Sequence, residues 1–112
     1  MKPLINALMN SLRGLHQTWV HERAFRLEVI GCIGVLFFTY LWGGDPLDQL
    51  LVIFSLSLML ITELVNTAIE KANDALKTTP DPLIKFSKDA ASAAVFVSLG
   101  LVLVSLINLV FG

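Results

Sequence analysis

An all-α membrane protein, with an N-terminal amphipathic interfacial helix followed by three spanning helices, is the architecture this sequence predicts. Three observations lead there. Of 112 residues, 55% are hydrophobic and only 15% are charged, against roughly 25% charged in a soluble domain. Mean hydropathy is +0.75, and a chain this small has too much surface per volume to hide such an apolar excess internally. Three stretches, Val29–Gly44, Gln49–Thr62 and Ala90–Gly112, contain no Lys, Arg, Asp or Glu. A free soluble monomer is therefore excluded. The net charge of −1 also argues against a nucleic-acid binder, which would carry a basic excess. The lone Cys32 can form no intrachain disulfide and reads as a small buried hydrophobe.

The first element is expected over residues 1–23. Leu4, Ile5, Leu8, Leu12, Leu15 and Trp19 recur at helical steps, with Asn6, Asn10, Arg13 and Gln17 on the opposite side. Such an apolar stripe, attached to spanning helices, belongs in the membrane interface. No signal peptide is expected here, because no uninterrupted apolar core leads to a small-residue cleavage site.

Helices that contain the spans are expected over 24–42, 47–72 and 87–111. Crossing a ~30 Å hydrocarbon core takes about 20 residues, and only the third uncharged stretch reaches that unaided. The first must extend back through Glu28 toward Arg26, and the second must run from Leu47 through Glu63 toward Ile69. Gly43-Gly44-Asp45-Pro46 is a turn signal and predicts a tight hairpin between the first two spans. In the second connection, Thr78-Thr79-Pro80-Asp81-Pro82, the prolines are expected to stop one helix and delay the next, with Ser87 as the N-cap of the third span.

All eight Lys and Arg residues precede the first span or lie between the second and third. The positive-inside rule then puts the N-terminus in the cytoplasm and Gly112 outside. The chain reads as one domain over 1–112. His16 and His21 read as interfacial polar groups, Trp19, Tyr40 and Trp42 as interface-belt aromatics, and Met9 and Met59 as packing.

The chemistry concentrates in Glu63-Leu64-Val65-Asn66-Thr67-Ala68-Ile69-Glu70-Lys71-Ala72-Asn73-Asp74. At about 100° per residue, Glu63, Asn66, Thr67, Glu70 and Asp74 share a stripe roughly 100° wide, with Glu63 and Glu70 on the order of 10 Å apart. One acid thus lies at membrane depth and another at the rim. An acid inside a span is expensive and marks a functional site by default. The arrangement suits a reaction between a lipid headgroup and a phosphate-bearing cosubstrate. The deep carboxylate could act as general base on a lipid hydroxyl. The rim carboxylate, with Glu22 as a second acid, could hold a hard divalent cation of the kind that neutralises charge in phosphoryl transfer. Lys88 and Asp89 open the third span at the same level. The small residues Ala90-Ala91-Ser92-Ala93-Ala94 and Ser98 allow close helix approach. No Gly-rich phosphate loop occurs, so side chains from several helices would have to hold a nucleotide. The bland alternative is a set of interfacial salt bridges.

Three blocks, Glu22-Arg23-Ala24-Phe25-Arg26-Leu27-Glu28, Glu63-x-x-Asn66-Thr67-Ala68-Ile69-Glu70-x-x-x-Asp74 and Lys88-Asp89-Ala90-Ala91-Ser92-Ala93-Ala94-Val95, resemble in order and spacing the prokaryotic diacylglycerol kinase family. The resemblance covers nearly the whole chain. It implies a homotrimer in the bacterial inner membrane, with composite sites at subunit boundaries. Each site would pass the ATP γ-phosphate, with Mg2+, to a lipid alcohol such as diacylglycerol. It implies Glu63 as catalytic base, with Asn66 and Asp74 supporting it. Glu22 and Glu70 fall at metal and ATP positions, and Asn10, Lys88 and Asp89 at ATP-contacting positions. Trp19, Ala24, Phe25, Arg26, Leu27, Glu28, Glu63 and Ser92 fall at lipid-contacting positions. Pro3 stands where better-known members carry Arg, so Lys2 or Arg13 would replace that contact. Leu41 stands in place of a Trp, and Asn73 in place of a Val. Undecaprenol kinases are similar but often carry Arg-Asn-Phe, so Ala24 and Glu28 lean toward the diacylglycerol branch. Two other classes remain open from the residues alone. A small multidrug transporter would need four spans and a mid-membrane acid, and a non-catalytic membrane subunit would leave Glu63 without a purpose.

Overall fold

A computed structural model describes residues 1–77 and 79–112, so Thr78 of the second connection lies outside the described residues. The described residues form four helices, α1 (Lys2–His21), α2 (Arg23–Trp42), α3 (Pro46–Ala75) and α4 (Pro82–Phe111). Among the described residues there is no strand. Among the described residues three helices, α2, α3 and α4, are long and apolar enough to cross a membrane, one fewer than the transporter reading requires. At ~1.5 Å per residue α2 is about 30 Å long, and α3 and α4 about 45 Å each, so the longer pair outruns a ~30 Å hydrocarbon core. The surplus falls where α3 ends and α4 begins. Arg23, Arg26, Lys71, Lys77, Lys85 and Lys88 gather at that end of the antiparallel spans.

Local chemistry sets each boundary. Between α1 and α2 a single residue, Glu22, leaves helical geometry (φ −115°, ψ 108°), so the two helices meet at an elbow rather than a loop. Arg26 braces this elbow by donating from Nη1 to the Trp19 and Val20 carbonyls at 2.7 and 2.9 Å. Carbonyls of a last turn have no partner inside their own helix, and a cation there also opposes the helix dipole. The hairpin between α2 and α3 places Gly43 at φ +78° and Gly44 at φ +86°, a backbone region that glycine reaches without strain. Asp45 then caps α3 by accepting from the Leu47 N–H at 2.8 Å, with Pro46 opening the helix. Gln49 ties the hairpin together through the Gly43 carbonyl at 2.8 Å.

The second connection departs from expectation where α4 begins. α3 stops at Ala75, ahead of the prolines, because Lys77 turns left-handed (φ +50°). α4 starts at Pro82 rather than near Ser87, and Asp81 is its cap, accepting from the Leu83 N–H at 2.7 Å. A proline at the first helical position is preset in φ and lacks only an N–H that would have no partner there. Pro82 therefore begins the helix that it was expected to delay. Ser87 sits inside α4, where its hydroxyl accepts from Asn73 Nδ2 at 3.3 Å.

α3 is the central element. It packs most extensively on α4, less on α2, and α1 meets the rest mainly through α2. A small core of Cys32, Val52, Leu56, Met59 and Leu109 joins the three spans. Cys32 and Met59 are buried as expected, whereas Met9 is exposed and α1 buries no residue at all. Most apolar side chains of the spans face outward, as they must in a chain solvated by lipid.

The α3–α4 pair is registered by polar rungs. Asn108 Nδ2 donates to Asp48 Oδ1 at 2.8 Å, the Ser55 and Ser105 hydroxyls are 2.9 Å apart, and Thr62 Oγ1 donates to Ser98 Oγ at 3.1 Å. Asp48, Ser55 and Thr62 recur every seven residues on α3, as do Ala91, Ser98 and Ser105 on α4. Ala91, Ser98 and Ser105 are all buried. Small side chains let the two backbones approach closely, and interhelical bonds in bilayers contribute on average about 0.6 kcal/mol each. Packing should therefore outweigh the hydroxyl. Ser105→Ala should cost about 0.6 kcal/mol, while Ser105→Leu should cost roughly 1–3 kcal/mol through overpacking. Reversible unfolding in mixed micelles measures both.

Candidate active site

α3 carries the acids upward from the hairpin. Glu63 lies about 26 Å from the Pro46 end, Glu70 about 36 Å and Asp74 about 42 Å, at ~1.5 Å per residue. On the same scale Glu28 is about 21 Å from the Trp42 end of α2, while Ser92 and Lys88 are about 29 and 35 Å from the Phe111 end of α4. Glu63 is thus within a ~30 Å hydrocarbon slab, and Glu70 and Lys88 stand just beyond it.

Glu63 is only 7% exposed. Its carboxyl faces that of Glu28 on α2 and lies within electrostatic reach of Glu70 and Glu22. Among the described residues no Lys, Arg or His forms an ion pair with Glu28, Glu63 or Glu70. Asn66 Nδ2 reaches Glu70 Oε1 at 3.4 Å, while Asn66 Oδ1 and Glu28 Oε2 are buried with no hydrogen-bond partner among the described residues. Buried polar atoms without partners are rare. Here they converge on the acid cluster, as expected of a site that a ligand completes.

Glu22, at the elbow, accepts an ion pair from Lys71 Nζ at 3.0 Å. Both residues line an open groove of about 970 Å3 between α1 and α3, together with Gln17, Thr18, His21 and Thr67. Leu15, Leu64 and Ala68 form its apolar part. A few polar groups over an apolar floor, at this size, is the usual make-up of a small-molecule site.

The single chain brings together some expected site residues and not others. Glu22, Glu28, Glu63, Asn66 and Glu70 form one cluster. The stripe on α3 is divided: Glu63 turns to α2, Thr67 lines the α1 groove, and Asp74 accepts an ion pair from Lys88 at 2.9 Å on the α4 side. Asp89 pairs with Lys85 at 2.7 Å, and Ser92 is exposed. Asn10 accepts from Arg13 at 3.0 Å on exposed α1. Phe25 is buried, Trp19, Ala24 and Leu27 are exposed, and Arg26 is committed to the α1 carbonyls. Lys71 and the Glu28–Glu63 juxtaposition escaped sequence reasoning, since each arises from contact between helices distant in sequence. Among the described residues no group of three or more His, Cys, Asp or Glu is poised as a metal cage. Magnesium, however, is usually held by one or two carboxylates plus substrate phosphates, and Glu22 with Glu70 supplies donors of that type.

Spans with a partly buried acid cluster at the edge of the hydrocarbon slab point to an integral-membrane enzyme that acts at the lipid surface. The sequence profile of the family described as prokaryotic diacylglycerol kinase matches residues 9–110. A diacylglycerol kinase of Helicobacter pylori is 39% identical over 98 residues, covering 88% of this chain and 77% of the relative. A diacylglycerol kinase of Haemophilus influenzae is 36% identical over 100 residues, covering 88% and 84%. A diacylglycerol kinase of Pseudomonas aeruginosa is 33% identical over 112 residues, covering 100% and 91%. The chain belongs to the prokaryotic diacylglycerol kinase family and is a membrane lipid kinase.

The elbow itself can be tested. In Arg26→Met the last carbonyls of α1 lose their cap. The expected cost is about 1 kcal/mol in stability with faster amide hydrogen exchange confined to the elbow, as read by mass spectrometry. Unchanged exchange there would show that the cap does not hold α1.

Proposed function

We propose that the protein transfers the γ-phosphate of ATP to the hydroxyl of diacylglycerol, giving phosphatidic acid and ADP, with Glu63 as general base. The observation that carries this reading is the burial of Glu63 just inside the hydrocarbon boundary, with no cation paired to it among the described residues. A carboxylate in that position has lost most of its hydration, and it meets the group of a diacylglycerol that can accept a phosphoryl group, the free hydroxyl held near the interface. Glu63 takes the hydroxyl proton as the lipid oxygen bonds to the γ-phosphorus and the bond to the ADP oxygen breaks. A positioned base of this type contributes about 10²–10⁴-fold.

Glu22 and Glu70 are the residues that would hold Mg2+, and Asn66 orients Glu70 through its amide. The ion, when bound, neutralises charge on the phosphates. The 970 Å3 groove beside Glu22 offers room for a nucleotide, and Asn10, Lys88 and Asp89 contact it in the assembled enzyme, where Asp74 supports the site. Trp19, the Ala24–Glu28 block and Ser92 line the lipid side. Because Lys88, Asp89 and Ser92 do not meet the acid cluster within one chain, the site is completed between subunits of a homotrimer. The protein resides in the bacterial inner membrane as a single kinase domain over 1–112. The excess of cations at the α3–α4 end supports a cytoplasmic active site, with Gly112 outside.

Phosphate transfer from ATP to diacylglycerol in mixed micelles tests the reading. Glu63→Gln should lower kcat by about 10²–10⁴-fold with trimers intact and little change in the lipid KM. A fully active variant would end the assignment of the base. Undecaprenol assayed beside diacylglycerol separates the two lipid alcohols, and faster turnover of undecaprenol would replace diacylglycerol as the substrate.

A further inference from the structure

We propose that Lys71 is a resident counter-ion for Glu22: it occupies the carboxylate when no metal–nucleotide is bound, and turns to the nucleotide phosphates when the metal displaces it. The inference rests on the reading of Glu22 as a metal-holding residue and adds a residue that neither the sequence motifs nor that reading used.

Three observations support it. Lys71 Nζ is 3.0 Å from Glu22 Oε1, so the carboxylate offered to a metal already holds a cation. The two partners differ in freedom. The Glu22 side chain is 23% exposed and sits at the braced elbow, whereas that of Lys71 is 64% exposed on a long flexible stem. Glu22 is fixed, and Lys71 is the partner able to leave. Both line the open groove between α1 and α3, and Lys71 directly follows Glu70 in the chain. A released ammonium therefore remains beside the space where phosphates would lie, with no larger rearrangement than a change of side-chain rotamer.

The physical logic is charge balance. Glu22 and Glu70 both lie within electrostatic reach of Glu63, and like charges in partial burial repel strongly. Lys71 offsets that repulsion in the empty enzyme. An incoming divalent ion replaces it, and the ammonium then supplies a charge-assisted donor to the phosphates. An exposed pair is weak enough to be displaced, as a placeholder must be.

The test begins with Mn2+ alone, without nucleotide, titrated into the purified enzyme in mixed micelles. Free ion is read from its electron paramagnetic resonance signal. Lys71→Met should bind Mn2+ roughly twofold to fivefold more tightly than the parent, the equivalent of losing one exposed ion pair. Lys71→Arg, which keeps a cation, should bind no more tightly than the parent. In a Glu22→Gln background the effect of Lys71→Met should vanish. The same Lys71→Met enzyme should show a KM for Mg·ATP about fivefold higher. A gain in metal affinity joined to a loss in nucleotide affinity is not what a merely structural defect produces. Unchanged or weaker Mn2+ binding in Lys71→Met, an equal effect in the Glu22→Gln background, or an unchanged KM would overturn the proposal. If Glu22→Gln alone leaves Mn2+ affinity intact, the metal reading of Glu22 fails as well. If it weakens binding while Lys71→Met does nothing, only the counter-ion role is lost.

Discussion

A bilayer core supplies no hydrogen-bond partner, and that constraint sorts every polar side chain of α3. Backbone groups are satisfied within the helices, so the remaining polar atoms must point at protein or at a site. α3 meets the constraint with three differently used sides. Asp48, Ser55 and Thr62 bond to Asn108, Ser105 and Ser98 on α4. Glu63 faces Glu28 on α2, and Thr67 with Lys71 borders the groove beside α1. The first side is self-satisfied and structural. The second leaves buried oxygen without a partner, which is where chemistry can be sited.

Helix length then decides depth. α2, about 30 Å long, fits the hydrocarbon thickness, while α3 and α4 continue past it and carry Glu70, Asp74, Lys88 and Asp89 into water. The same helix that anchors the protein thus carries one carboxylate within the hydrocarbon boundary and another beyond it, toward water. The elbow at Glu22 gives α1 its departure from the spans. It also leaves the Glu22 carboxylate directed at α3, as its ion pair with Lys71 shows.

The sparse core has a consequence of its own. With only a few side chains buried among the spans, one chain leaves broad apolar faces for lipid or for other copies. The α4 residues matching nucleotide and lipid positions sit away from the acid cluster of their own chain. A trimeric site is the proposal that reconciles these two facts. Small residues on α4 serve its own hairpin first, through Ala91, Ser98 and Ser105.

Much of this was legible in the chain. Hydropathy, with helices extended through Glu28 and Glu63 to reach bilayer thickness, predicted three spans, because apolar length against bilayer thickness is a one-dimensional comparison. The acidic face of α3 followed from helical period, and the hairpin at Gly43–Pro46 from turn chemistry. Local competition was harder to read. Pro82 can stop a helix or start one, and it was Asp81 just before it, free to cap Leu83, that decided for a start. The seven-residue recurrence of Asp48, Ser55 and Thr62 was present in the sequence but acquires meaning only when the matching series on α4 is laid against it. That Glu63 would face Glu28, and which cation would pair with Glu22, were decided by tertiary structure alone. Those outcomes depend on the rotation of one helix against another, and rotation is set by packing across the interface, which no single helix encodes.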